Sequence, residues 1–478
     1  MTGITVVHEA KMKLQLGLAI GALSALLAFG SPAGVLALED RFPAASWEQV
    51  DPAVAGWSRE KLAKAQAWSQ RIGSTAVMVV HHGAVVAQWG DIAARTPLAS
   101  VRKSLLSALI GNAVGRGQID LAQPIGALGI DDNEPSLTPE EKTASVRDLL
   151  QARSGIYHAA LYESAGMAAQ RPPRSSHKPG TFWYYNNWDF NTLGTIYERA
   201  VRSSIFEAFE REIAKPIGMQ DYSPSDGEYV TGAASVYPAY PIRMSARDLA
   251  RFALLYLHKG RWQDRQLVPA HWIEESTQPY SRSEFGPGYG YMWWIGSINN
   301  GIAPSVMLPP GSFFALGYGG QYAFVIPAYD LVVIHRAVHA DGGPNFREIA
   351  RLLWLLFDAG RFPDLGPDAT IEAARYPRTN GEALSRMLPG KTLIYGDAAI
   401  RGPYRIRLNA NGSATVLQGR EPSELDTGAW QVQGDQFCRD WKKMEPRRMC
   451  FPVVGDGSNM QLFDGKGLMY IDARLVDD

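Results

Sequence analysis

Between Thr75 and Asp91 the chain reads TAVMVVHHGAVVAQWGD, two β-rich apolar runs separated by a His-Gly pair. That composition predicts a hairpin. Shortly after it, TPLASVRKSLLSALIGNAV (Thr96 to Val114) places Val101, Leu105, Leu106, Leu109, Ile110 and Val114 at helical spacing. The pattern predicts a helix packed into a core, opened by Ser100 and carrying Lys103 three residues later. A helical, loop-rich region extends to about Gln220, and SARDLARFALLYLHKG then predicts a helix with Ser245 at its N-cap and Gly260 as its stop. Strand-like runs follow from Tyr289 to Val338. Strands, then helices, then strands again imply an α+β domain whose sheet is built from both ends of its chain segment.

Past the turn-rich stretch from Ala374 to Lys391 the pattern changes to short alternating runs, YRIRL, SATVL, AWQV, NMQLF and GLMYIDARLV, punctuated by Asn-Gly, Gly-Asp and Asp-Gly. A small all-β domain over residues 386–478 is expected, after a main domain over 38–385. At the other end, Lys11 and Lys13 precede an apolar run from Leu14 to Phe29, with small residues around Val35 and Ala37. This reads as a signal peptide over residues 1–37, cleaved before Leu38, so the mature protein is expected to be periplasmic or secreted with no lasting membrane insertion.

Composition narrows the picture further. The 478 residues are 46% hydrophobic and 20% charged, which suits a globular protein and not a disordered one. Lys and Arg (47) balance Asp and Glu (48), so no general field attracts nucleic acid. The two cysteines, Cys438 and Cys450, flank the polar segment RDWKKMEPRRM. In an exported protein they are expected to form a disulfide closing a short loop between two strands.

A serine and a lysine at i and i+3 share a helix face, and a lysine whose charge is disfavoured by burial can take the proton of the hydroxyl. Ser-x-x-Lys occurs three times, as Ser58/Lys61, Ser100/Lys103 and Ser175/Lys178. Ser58 reads as the N-cap of an exposed helix and Ser175 lies in a proline-flanked loop, so only Ser100 has an apolar helix to fix the spacing. A second element, PGTFWYYNNWDFNTLG (Pro179 to Gly194), leads an aromatic cluster into Tyr185 and Asn187. No Gly-x-Ser-x-Gly elbow is present. His81, His82, His335 and His339 lack zinc-site spacing and read as structural, as does the loop residue His158.

The SVRK segment, the Pro-Gly-Thr-x-Trp-x-Tyr-x-Asn frame and a later glycine-rich strand resemble the serine β-lactamase/penicillin-binding-protein-like hydrolases. Among them the similarity is to class C β-lactamase-like esterases and aminohexanoate-dimer hydrolases. It runs from about Ala44 to Asp358 and takes in SVRDLLQARSGI, RMSARDLARFALLYLHKGRW and GYGYMWWIG. The resemblance implies a β-lactamase/transpeptidase-like domain, an antiparallel sheet flanked by helices with an all-helical subregion. It implies Ser100 as nucleophile, Lys103 as its base, Tyr185 as the phenol that passes a proton to the leaving group and Asn187 as a positioning amide. Neither cofactor nor metal is implied, and the partner would be a small ester or amide substrate.

Beside a cationic lysine, Tyr185 would lose its proton more easily than in water. Asn187 and Asp189 have an alternative reading as helix caps, and for Asp189 the cap is the expectation. The family's third motif, normally Lys-Thr-Gly or His-x-Gly, corresponds to FFALGYGGQYAFVIP, where Ala315-Leu316-Gly317 offers no cation. That strand could still present the Tyr318 N–H opposite that of Ser100 as an oxyanion hole, with Gly317, Gly319 and Gly320 permitting close approach. Phe182, Trp183, Tyr184, Trp188, Trp293 and Trp294 are expected to line the cleft and favour an uncharged acyl group. Two other readings stay open: a β-lactamase or D,D-peptidase acting on cell-wall-type substrates, and a binding protein that kept the fold without the chemistry.

Overall fold

Strands Ser74–His81 (β1) and Ala84–Gly90 (β2) form the expected hairpin, turning at His82 and Gly83. Gly83 has φ +70°, and a Cβ there would lie 2.3 Å from the carbonyl oxygen of Arg41, so both conformation and space call for glycine. The computed structural model describes residues 41–477 apart from 283–287, 297–307, 339–342, 363–377, 396–402, 420–421, 445–447 and 464–468. The expected signal segment, its expected cleavage site before Leu38, and His339 lie outside the described residues.

Six later strands complete the sheet: Ser281–Arg282 (β3), Gly288–Tyr289 (β4), Trp294–Ile295 (β5), Phe313–Gly317 (β6), Gln321–Ile326 (β7) and Leu331–Ala337 (β8). Their spatial order is β2-β1-β8-β7-β6-β5-β4-β3, with antiparallel neighbours throughout. Val79 on β1 lies opposite Val333 on β8, so the N-terminal hairpin pairs with the last strand of the domain. Val77 to Val80, Ala323 to Ile326 and Leu331 to Ile334 are each 0% exposed. Such unbroken burial replaces the usual in-out alternation because both faces of these strands are covered.

Helices Arg59–Arg71 (α1) and Phe346–Gly360 (α5) pack against each other, and Trp68 Nε1 donates to Glu348 O at 2.9 Å. Between them in the chain, Arg102–Gly115 (α2) packs on Asn187–Val201 (α3), and Ala246–Leu257 (α4) lies across β1, β7 and β8. Ser245 caps α4 by accepting from Asp248 N, as expected. All of α2 from Arg102 to Ala113 is buried, including Arg102, Lys103, Ser104, Ser107 and Asn112. An isolated α2 would not hold those polar groups in an apolar core; each needs a partner or a function.

The C-terminal domain is an eight-stranded antiparallel barrel, closed by pairing of Lys391–Tyr395 with Met469–Asp477. Its inward positions, among them Leu393, Ile406, Phe437, Phe451 and Met460, fill the interior together with Leu384 of the helix Gly381–Met387 and Leu388 just after it. Closure removes the open edge that a short-stranded sheet would otherwise expose. Cys438 and Cys450 face each other across strands Gln436–Trp441 and Arg448–Gly455 and are bonded as a disulfide.

Replacing both cysteines by serine is expected to lower barrel stability by about 2–3 kcal/mol, the loop-closure contribution of a short cross-link. Thermal unfolding with and without reductant measures it, and a wild-type barrel unmoved by reductant would contradict it. A second expectation concerns His81, whose Nδ1 accepts from Trp57 Nε1 at 3.1 Å and whose pKa burial lowers to about 4, the charge of His82 adding to the effect. A histidine held neutral stabilises fully above its unfolded value near 6.5 and loses that contribution as pH falls through about 4. His81→Phe should therefore flatten the fall in melting temperature between those pH values.

Candidate active site

The approach to Ser100 begins with Thr96–Pro97, which pairs with Arg243–Met244, after which Leu98 N donates to Ile242 O. Ala99 adopts φ +47°, the left-handed region that a non-glycine residue enters only when its surroundings impose it. Ala99–Val101 then form a single 3-10 turn, and α2 starts at Arg102. Ser100 therefore stands one turn ahead of the α-helix and does not cap it, which corrects the expectation of a helix opened by serine. The turn runs straight into α2, so the three-residue spacing still works: Lys103 Nζ is 3.0 Å from Ser100 Oγ.

Lys103 is 1% exposed and its ammonium position is crowded. Nζ also donates to Tyr185 OH at 2.6 Å and to Asn187 Oδ1 at 2.7 Å, and it lies 4.1 Å and 4.5 Å from the ring centres of Tyr185 and Phe190. Burial, reinforced by the charge of Arg102, holds its pKa well below that of an ordinary lysine. For Tyr185 burial acts in the other direction, pushing the phenol up to about 12 despite the Ser100 hydroxyl and Arg102. Burial thus opposes the acidification of the phenol that a neighbouring lysinium would bring. Desolvation drives both groups towards their neutral forms, a free amine beside an intact phenol.

Asn187 can reach Lys103 because its neighbour does the capping. Asn186 Oδ1 accepts from Trp188 N at 3.0 Å, which frees Asn187 to accept from Lys103 and to donate Nδ2 to Tyr162 O at 2.7 Å. Asp189 is not a cap either. Its Oδ1 accepts from Ser154 Oγ at 2.6 Å and Asn186 Nδ2 at 3.2 Å, and burial pushes its carboxyl well above the usual carboxylate range. The carboxyl ties the Ser154–Ile156 loop to the start of α3, whose N-terminal positions the sequence could not tell apart.

On the opposite wall, β6 ends at Gly317, paired with Gln321. A Cβ on Gly317 would sit 2.3 Å from Leu98 O and 3.1 Å from Ser100 N, so only glycine lets this strand end meet the backbone of Ser100. Tyr318 follows in the turn, 76% exposed at the cleft. The turn is held from behind. Gln321 Nε2 donates to Gly319 O at 3.1 Å, and Arg336 Nε donates to Gln321 Oε1 at 2.7 Å. The same guanidinium donates to Met244 O, Thr96 O and Pro97 O at 2.7, 3.0 and 2.9 Å, joining the glycine turn to the segment that carries Ser100. Burial lowers its pKa to about 9. Sequence reasoning passed over Arg336, although an arginine inside the apolar run LVVIHRA was a visible sign of an inward-facing charge. Its neighbour His335 is structural, bonded to Gly320 O at 2.6 Å and Ser74 Oγ at 2.7 Å.

The cleft between these walls has a volume of about 1270 Å³ and reaches Ser100, Tyr185 and Asn187. Tyr162, Phe182, Trp183, Trp294, Tyr318 and Phe346 give it an aromatic lining. Trp188 and Trp293, expected there, are instead 0% exposed in the core, Trp188 with its Nε1 on Asp132 Oδ2. Arg153 borders the cleft but is committed to Gly180 O, Tyr280 O and Ser281 Oγ. The other Ser-x-x-Lys pairs are resolved as expected: Ser58 caps α1 by accepting from Lys61 N, and Ser175 lies outside any helix.

The family model for beta-lactamases matches residues 59–356. The chain belongs to the beta-lactamase family. An uncharacterized protein of Alkalihalophilus pseudofirmus is 24% identical over 266 residues, 52% of this chain and 74% of its own. Among solved structures, a Bacillus anthracis protein bearing the provisional name 6-aminohexanoate-dimer hydrolase is 20% identical over 68% of this chain and 89% of its own, with a TM-score of 0.49. The octameric penicillin-binding protein homologue from Pyrococcus abyssi is 17% identical, covering 87% of this chain and 99% of its own, again at 0.49. The α+β β-lactamase/transpeptidase-like fold, with its antiparallel sheet, flanking helices and added barrel, is that of this beta-lactamase-family chain.

Gly317→Ala should force β6 away from Leu98 and Ser100, because the clash is with backbone and no side chain can swing aside. A fall in kcat of at least about tenfold is expected, the scale of an ångström-sized misplacement at a reacting centre. Steady-state rates on any turned-over substrate test it; an alanine variant with wild-type kcat would show that the contact does not matter.

Proposed function

We propose that the protein is an exported serine hydrolase that cleaves a small ester or amide through an acyl-enzyme on Ser100. One observation carries the reading: a buried lysine amine within hydrogen-bond reach of a cleft-facing serine hydroxyl, a tyrosine phenol and an asparagine carbonyl at once. Ser100 Oγ attacks the carbonyl carbon of the substrate while its proton passes to the neutral Lys103 amine. The carbonyl oxygen becomes an oxyanion, and the backbone N–H groups of Ser100 and Tyr318 are assigned to receive it. Tyr185, a full phenol at neutral pH, gives its proton to the departing oxygen or nitrogen and recovers one from Lys103. The C–O or C–N bond then breaks. Water then attacks the acyl-enzyme carbonyl as Tyr185 takes a water proton and passes its own to the Lys103 amine; Lys103 returns a proton to Ser100 Oγ as the acyl C–O bond breaks and the acid is released. Asn187 keeps the amine aimed through its carbonyl oxygen.

Substrate class follows from the cleft. Apolar and aromatic side chains dominate it, Ala315-Leu316-Gly317 brings no cation, and Arg153 is occupied. A ground-state carboxylate placed against β6 would lack a charge-assisted hydrogen bond, worth about 1.5–3 kcal/mol. The reading therefore favours an uncharged acyl group over penicillins or D,D-peptides. Export is supported by the disulfide and by the N-terminal pattern; among the described residues no helix is long and apolar enough to cross a membrane.

Ser100→Ala should abolish turnover, by about a thousandfold or more, with the melting temperature nearly unchanged. Lys103→Arg should also be inactive, since guanidinium stays protonated near neutral pH. Loss of a fluorophosphonate label in Ser100→Ala, with wild type labelled, confirms the nucleophile; an unlabelled, folded wild type would favour the binding-protein reading. p-Nitrophenyl acetate or butyrate should be hydrolysed with higher kcat/KM than nitrocefin or benzylpenicillin. The reverse order would shift the assignment to a β-lactam- or D,D-peptide-directed enzyme.

A further inference from the structure

Arg102 sits inside the Ser100-to-Lys103 segment, is 1% exposed and borders the cleft. Its Nη1 donates to Ala99 O at 2.9 Å, and its guanidinium carbon lies 5.4 Å from the ring centre of Tyr162 and 5.1 Å from that of Tyr240. Nε and Nη2, one edge of the guanidinium, are closed off from solvent and have no hydrogen-bond partner among the described residues. Arg336 makes the contrast, with all three nitrogens engaged. Leaving donors of a buried cation unmet destabilises a fold. No described carboxylate pairs with Arg102.

An unscreened buried charge does produce a field, and this one is bonded to the carbonyl of Ala99, directly before Ser100, on the residue directly before Lys103. We propose that Arg102 is a positioning residue for the reaction, its uncompensated guanidinium keeping the adjacent Lys103 amine in the unprotonated form that accepts the Ser100 proton. The inference rests on the reading of Lys103 as base. In a low-dielectric site a cation opposes protonation of a neighbouring amine. The direction agrees, since Arg102 adds to burial in lowering Lys103 and works against burial at the phenols of Tyr185 and Tyr240.

The surrounding groups are few. Lys103 faces Ser100, Tyr185, Asn187 and Phe190; Arg102 faces Ala99 O, Tyr162 and Tyr240. Tyr289, packed on Tyr185, has its phenol pushed up by burial. Asp189, on the first turn of α3, is engaged with Ser154 and Asn186 and touches neither cation. Among the described residues no opposing charge is thus in contact with the pair.

The test compares kcat/KM for p-nitrophenyl butyrate from about pH 5 to 10 in wild type, Arg102→Gln, Arg102→Met and Arg102→Lys. Folding is checked by near-UV circular dichroism and by fluorophosphonate labelling of Ser100 at the alkaline end. Removing the cation raises the Lys103 pKa, so the acidic limb should move up by about one to two pH units in the glutamine and methionine variants. Their rates should fall about 10- to 100-fold on the old limb and recover at alkaline pH. Arg102→Lys, which keeps the charge, should keep the wild-type limb. A folded neutral variant with an unmoved limb, a loss equal at every pH, or a lysine variant displaced as far as glutamine would overturn the proposal. Lys103→Met separates the two ideas: if it stays active the reading of Lys103 fails, whereas if it is dead and the Arg102→Gln limb has not moved, only the role of Arg102 fails.

Discussion

The structure turns on one desolvated amine. Lys103 is buried in the first turn of α2 with three oxygen partners and two aromatic rings about it, and no described carboxylate neutralises it. A charged ammonium in that position would lose several kcal/mol of hydration that hydrogen bonds to neutral oxygens only partly return. The site tolerates it by favouring the free amine. That one constraint explains the neighbours: a phenol that stays protonated, an asparagine carbonyl that can accept but not bear charge, and a serine hydroxyl close enough to exchange its proton.

Holding the amine there is a task for distant parts of the chain. The sheet joins its first hairpin to its last strand, and Arg336 on that last strand reaches the carbonyls of Thr96 and Pro97 just before Ser100. Through Gln321 the same side chain fixes the turn after β6, so the two walls of the cleft share one anchor. The strained φ of Ala99 is affordable because both of its flanks are tied: Leu98 to Ile242, and Ser100 onward into a fully buried helix.

Local patterns were legible in the sequence. Composition marked the β1–β2 hairpin and alternation the short strands of the C-terminal domain, helical spacing marked α2, and the Ser-x-x-Lys and Tyr-x-Asn elements marked the residues that meet around the amine. What depends on contacts across long chain separations was not. Closure of the barrel, the β1–β8 pairing and the function of Arg336 involve partners hundreds of residues apart or a register that no local window contains. Trp188 and Trp293 were misplaced for a related reason: the aromatic cluster spans both surfaces of its elements, and composition does not say which ring turns to the core. The caps of α3 failed on a finer scale, since Asn186, Asn187 and Asp189 are all residue types that caps prefer and only geometry separates them.

Arg102 and Arg336 also share a chemical consequence. Both are buried guanidiniums without a carboxylate partner among the described residues, one beside the reacting cluster and one behind the glycine turn. Neither offers a free donor to solvent, so neither grips a substrate anion in the ground state. In the proposed reaction, negative charge appears on the carbonyl oxygen only as Ser100 attacks. A positive field set in the walls acts on that developing charge more than on a neutral ester awaiting attack. Preference for the charged transition state over an uncharged ground state raises kcat and not merely affinity. In the proposed reaction, the missing cation of the third strand fits electrostatics reserved for the step in which charge is made.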